Sequence, residues 1–120
     1  MRDFRSLDVW HRAVQLVDSV YRETAGFPAS ERFGLTSQIR RACVSIPSNI
    51  AEGIGRKSQR DLARFLSYAR GSAAEVECQL FIAHRLLLLP RERLQPLLEE
   101  ARGIQRMLSS LMEAIENNCD

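Results

Sequence analysis

Few side chains in this 120-residue sequence are of types that make or break bonds. Cys43, Cys78 and Cys119 show no CxxC spacing, which speaks against a disulfide framework and a zinc site alike, so free thiols are expected. His11 and His84 stand apart from any close histidine, cysteine or carboxylate pair, so neither a metal site nor a bound cofactor is expected. The middle of the chain is more suggestive. Gln38, Ser45, Asn49, Glu52 and Arg56 fall within about 60° of one another at ~100° per helical residue, beside an apolar stripe. Arg64, Tyr68, Ser72 and Glu75 follow a comparable flank further on. General acid and base work would need a histidine or a second carboxylate on that face, and Glu52 has neither. The expectation is therefore no catalytic residue, and a buried polar network of Gln38, Ser45, Asn49, Glu52, Ser72 and Glu75 that fixes helix register.

A second cluster has the chemistry of anion binding. Gly53, Gly55, Arg56, Lys57 and Arg60 form a basic turn that opens a helix, where backbone donors favour negative charge. GxxxxGK[ST] is absent and no strand precedes GIGRKS, so the phosphate-binding fingerprint of nucleotide hydrolases does not apply. Arg64 lies one turn beyond Arg60. Two readings stand: contact with a nucleic-acid backbone, with Arg40 and Arg41 as further candidates, and a solvated basic helix entrance. The net charge of +2 is too small to decide between them, but its distribution is uneven. Residues 1–70 carry 12 Arg or Lys against 7 Asp or Glu, and residues 71–120 carry 5 against 8, so the basic side is the front of the chain. All but Lys57 of the 17 basic residues are arginine, whose planar fork suits phosphate and carboxylate.

The elements that must position these residues are helical. Residues 8–25 place Trp10, Val14, Val17 and Tyr21 on one face, with Asp8 as a cap and Val9, Ala13, Leu16 and Val20 as an adjoining stripe. So broad an apolar surface on one helix suits burial between copies of the chain. A second helix runs from about Glu31 to Ile54 on Leu35, Ile39, Ala42, Ile46 and Ile50, kinked but continuous at Pro47 and stopped by Gly53 and Gly55. Ser58, with Asp61 three residues on, caps a third helix that keeps Leu62, Phe65, Ala69, Val76, Leu80, Ala83 and Leu87 in phase as far as Leu89. A fourth starts near Arg91, with Leu94, Leu98, Ala101, Ile104, Leu108, Leu111, Met112 and Ile115 as its apolar face. Pro96 is read as falling among the first helix donors, which have no intrahelical partner. No stretch reads as a strand. The fold class is all-α, an antiparallel up-and-down four-helix bundle in a single domain, residues 1–120. Hydrophobic residues at 45% and charged residues at 27% are ordinary for a globular chain, no apolar run approaches the ~18–20 residues of a membrane span, and a cytoplasmic location without membrane contact is expected.

The segments LDVWHRAVQLVDSVYRETAGFP, FGLTSQIRRACVSIPSNIAEGIGR and FLSYARGSAAEVECQL closely resemble the four-helix proteins of 23S rRNA intervening sequences, also called the S23 ribosomal protein family. SIPSNIAEG, with a proline inside a helix, is the most idiosyncratic run, and RMLSSLMEAI is similar to the family's last helix. The resemblance implies a four-helix protomer, a barrel-like homopentamer and a relationship to the accessory variability determinant protein of diversity-generating retroelements, which acts with a reverse transcriptase and nucleic acid. It supplies no catalytic residues. This chain departs from its more basic relatives in having a single lysine and an acidic back half. The expected function is that of a bacterial, non-enzymatic homo-oligomer that binds structured RNA or DNA through Arg40, Arg41, Arg56, Lys57, Arg60 and Arg64. The alternative is a scaffold that organises a protein partner such as a polymerase without touching nucleic acid itself.

Overall fold

The computed structural model describes residues 3–118, so Cys119 lies outside the described residues. Four α-helices carry the fold among them: α1 (Asp8–Thr24), α2 (Leu35–Ile54), α3 (Gln59–Arg85) and α4 (Arg91–Asn117). Short 3-10 turns at Phe4–Ser6 and Ala29–Glu31 lead into α1 and α2, and no strand occurs among the described residues. Each helix packs on its neighbours in the chain, α4 closes back onto α1, and neither diagonal pair comes into close backbone approach. Leu7, Ile54, Leu62 and Ile115 line a common cavity, which puts the start of α1, the end of α2, the start of α3 and the end of α4 together. The helices therefore run up and down, in a bundle of 49 × 22 × 20 Å.

The apolar phase of each helix is the one the spacing predicts, except in α1. There Val9, Ala13, Leu16 and Val20 are buried, whereas Trp10, Val14 and Val17 are half-buried and Tyr21 is exposed. The expected main and secondary stripes are exchanged. Trp10 is covered locally, with the Phe4 ring 5.1 Å and the His11 ring 5.2 Å from it. Asp8 does not cap α1, since Leu7 holds the N-cap position, but its charge in the first turn still complements the helix dipole.

Helix α2 begins at Leu35 instead of near Glu31, and the Glu31 carboxylate turns forward to accept the Leu35 amide at 3.2 Å. The helix is unbroken through the buried Pro47, although the missing amide leaves the Cys43 carbonyl without its intrahelical donor. Ser58 Oγ accepts the Asp61 amide at 3.1 Å and caps α3 as its sequence predicts. Helix α3 stops at Arg85, four residues short of the expected end. Leu87 has φ 63°, and the Leu88 amide donates to Ala83 O at 2.9 Å while the Leu87 amide donates to His84 O at 3.0 Å. These two bonds form a Schellman motif with leucine where glycine is usual. Pro96 lies beyond Leu94, whose amide already donates to Pro90 O at 3.0 Å, so it falls past the free donors and removes a bond from the exposed side of α4.

Candidate nucleic-acid interface

The corner between α2 and α3 is built around a glycine. A Cβ at Gly53 would lie 3.0 Å from the Phe65 Cβ, 3.2 Å from Leu62 Cδ1 and 3.3 Å from the Leu62 carbonyl oxygen, so only a bare backbone lets the two helices approach there. That corner sets the Arg56 guanidinium 4.6 Å from the Phe65 ring centroid, and Arg64, the residue before Phe65 in α3, adds a second guanidinium at 5.3 Å. Each arginine also meets a carboxylate of its own segment. Arg56 Nη2 donates to Glu52 Oε2 at 2.9 Å, and Arg64 pairs with Asp61 at 3.0 Å. Lys57 and Arg60 are exposed and take no hydrogen-bond or ion-pair partner among the described residues. Four cations against Glu52 and Asp61 leave this corner with two uncompensated positive charges.

The other two candidate cations lie away from it, toward the start of α2, with Arg41 about 20 Å from the helix end at ~1.5 Å per residue. Arg40 is committed to the fold. Its Nε donates to Thr24 Oγ1 at 2.8 Å, its Nη2 donates to the Tyr21 carbonyl at 3.2 Å, and its guanidinium lies 4.4 Å from the Tyr21 ring centroid. It clamps α2 to the end of α1, which removes it from the candidate surface. Arg41 is exposed and takes no partner among the described residues.

The polar stripe is not the buried network its spacing suggests. Only Ser45 and Ser72 bridge two helices, oxygen to oxygen at 2.6 Å, with Ser45 Oγ also 2.7 Å from Ala42 O. Asn49 Nδ2 donates to Ser45 O within its own helix at 2.8 Å. Gln38, Glu52 and Glu75 are exposed, the Glu52 side chain by 53%. A helix face beside the core can turn to solvent when its neighbour packs on one side of it, and nothing in the spacing distinguishes the two. Gln38, Arg41, Ser45 and Glu75 instead line an open cleft of about 510 Å³ between α2 and α3, together with Ser37 and Phe33.

Other polar groups, some buried and some bridging two helices, escaped the sequence reading. Gln79 and Thr36 are buried; Gln79 lies in phase with Val76 and Ala83, a polar residue on an apolar stripe that could have been flagged. Arg12 pairs with Glu100 at 3.0 Å and its guanidinium covers Gly103, so α1 is tied to α4. Glu77 on α3 accepts from Gln105 at 2.8 Å and Arg102 at 2.7 Å on α4, and these two bonds, Gln105 first, hold its carboxyl below the usual range. Burial pushes the Cys43 thiol up to about 12, which silences it as a nucleophile. No group of three His, Cys, Asp or Glu could hold a metal ion among the described residues. No described helix is long and apolar enough to cross a membrane.

Residues 5–110 match the family described as 23S rRNA-intervening sequence protein. The chain belongs to this family. The chain is also similar to a solved structure from Bacteroides thetaiotaomicron VPI-5482, described as a protein with unknown function from the S23 ribosomal protein family. It superposes with a TM-score of 0.78 at 23% identity, covering 87% of this chain and 97% of the other, which establishes a shared fold. No curated protein matches the chain.

Proposed function

We propose that this intervening-sequence protein is a non-enzymatic cytoplasmic homo-oligomer that binds structured RNA or DNA through Arg56, Lys57, Arg60 and Arg64. The observation that carries the reading is the pair of unpartnered cations, Lys57 and Arg60, beside two guanidinium groups held against Phe65. Fixed arginines keep their planes and donors presented to phosphate, while free cations exchange their counterions for it. A closed ring, such as the pentamer that the resemblance implies, would repeat the corner around its axis, and a ligand spanning several copies would gain from multivalency.

Fluorescence anisotropy of a labelled RNA hairpin across a salt series tests this. The double substitution Lys57→Glu and Arg60→Glu is expected to weaken binding and to lower the log–log salt slope by about 2, at ~0.9 per lost duplex phosphate contact. Unchanged binding moves the interface elsewhere; no wild-type binding at low salt removes the reading. The scaffold alternative draws on a different observation. Phe81, Ile82 and Leu86 are exposed on the outer side of α3 and its exit, beside the exposed Cys78, and an apolar strip of this kind suits a protein surface, whether a second copy or a partner.

A further inference from the structure

We propose that the cleft between α2 and α3 is a pocket for a guanine base of an unpaired nucleotide. The inference rests on the nucleic-acid reading above for the source of that base, but its residues are not those of the basic corner. Phe33, Gln38, Arg41 and Glu75 supply the chemistry, since the Ser45 hydroxyl is already engaged by Ala42 and Ser72.

The cleft presents an acceptor and a donor set facing the same space. Glu75 Oε2 accepts the amide of the buried Gln79 at 3.2 Å, which steadies the carboxylate one helical turn below while leaving Oε1 open. Gln38 and Arg41 bring amide and guanidinium groups that take no partner among the described residues. Phe33 is 89% exposed, with the Arg32 guanidinium 5.5 Å from its ring centroid. An aromatic ring left this bare beside a polar cleft is a stacking platform for a flat, polar ring. The volume of about 510 Å³ is of the size that takes a nucleoside.

Among the common bases, guanine matches this set. Its N1–H and N2–H₂ stand side by side and both can point at one carboxylate, while O6 and N7 accept the two donors of an arginine fork. Adenine and cytosine set a ring-nitrogen acceptor beside their amino group, which would face the Glu75 carboxylate lone pair to lone pair. Uracil brings one N–H only. The edge that Glu75 reads is hidden in a base pair, so the nucleotide must be unpaired. Arg41 lies on the same helix that ends at the basic corner, about 20 Å from that end.

Calorimetric titration with the 5′-monophosphates of guanosine, adenosine and cytidine separates base recognition from charge, because all three carry the same phosphate. The guanosine nucleotide is expected to bind about tenfold more tightly than the other two. Glu75→Gln keeps the Gln79 contact within reach and should erase that preference, and Phe33→Ala should weaken all three nucleotides about fivefold or more by removing the stack. Equal affinity for the three nucleotides, or a preference that survives Glu75→Gln, overturns the pocket. If the hairpin still binds with a steep salt slope in that case, the basic corner stands without it; a guanosine preference in a protein that binds no hairpin upholds the pocket and overturns the nucleic-acid reading.

Discussion

Glu52 and Gly53 are adjacent in sequence and opposite in energetic weight. The Glu52 carboxylate pairs with Arg56 one turn on, at the surface, where such a pair contributes about 0.3–0.5 kcal/mol. Gly53 is buried against Phe65 and Leu62 with no room for a methyl group, and two of the three nearest atoms, the Phe65 Cβ and the Leu62 carbonyl oxygen, cannot swing away. Urea denaturation should therefore show Glu52→Ala within about 0.5 kcal/mol of the parent. Gly53→Ala should lose roughly 1–3 kcal/mol as α2 and α3 are forced apart. A loss above about 1 kcal/mol in Glu52→Ala would restore the register role that the polar spacing suggested. The type of Glu52 and its place beside the apolar stripe were legible in the sequence, but its solvent exposure was not. Arg40 makes the same point: its charge invited a phosphate, and its geometry assigns it to Thr24 and Tyr21.

At the scale of the elements, the exit of α3 stores a local cost. Leu87 sits in the left-handed region at φ 63° and is 91% exposed, so it has the backbone strain of a side chain there and almost no packing to offset it. The conformation costs a residue with a Cβ about 1–2 kcal/mol, part of which glycine returns as chain entropy. Leu87→Gly should raise the urea midpoint by the equivalent of about 0.5–1 kcal/mol with an unchanged slope. A fall in the midpoint would mean that the leucine packs on something in the assembled protein. The run of four leucines before Pro90 kept the apolar pattern in phase, which is why periodicity carried α3 to Leu89. Periodicity reports which face is apolar and is blind to where the backbone reverses. Ser58 gave the opposite result, since a cap is a local hydrogen bond between residues three apart and is written in the sequence.

For the molecule as a whole, exposed apolar side chains gather on α3 and its exit, while α1 leaves Tyr21 exposed among its large apolar residues. Trp10, Val14 and Val17 are largely covered within the chain, whereas Phe81, Ile82 and Leu86 face outward. If self-association buries that strip, light scattering at micromolar concentration should give a multiple of 13.7 kDa. Phe81→Glu should return the mass to 13.7 kDa with the helical circular dichroism unchanged. A wild-type mass of 13.7 kDa would leave the homo-oligomer without support. The four helices, their order, the cap of α3 and most core positions were determined by the sequence alone, because helix periodicity and capping are short-range properties of neighbouring residues. Tertiary structure decided which of two stripes on α1 is buried, which arginines are already engaged, and that Gln38, Arg41 and Glu75 share a cleft. Those outcomes depend on how far each helix is rotated about its own axis against its neighbours, a quantity set by packing at positions such as Gly53, and by no single segment.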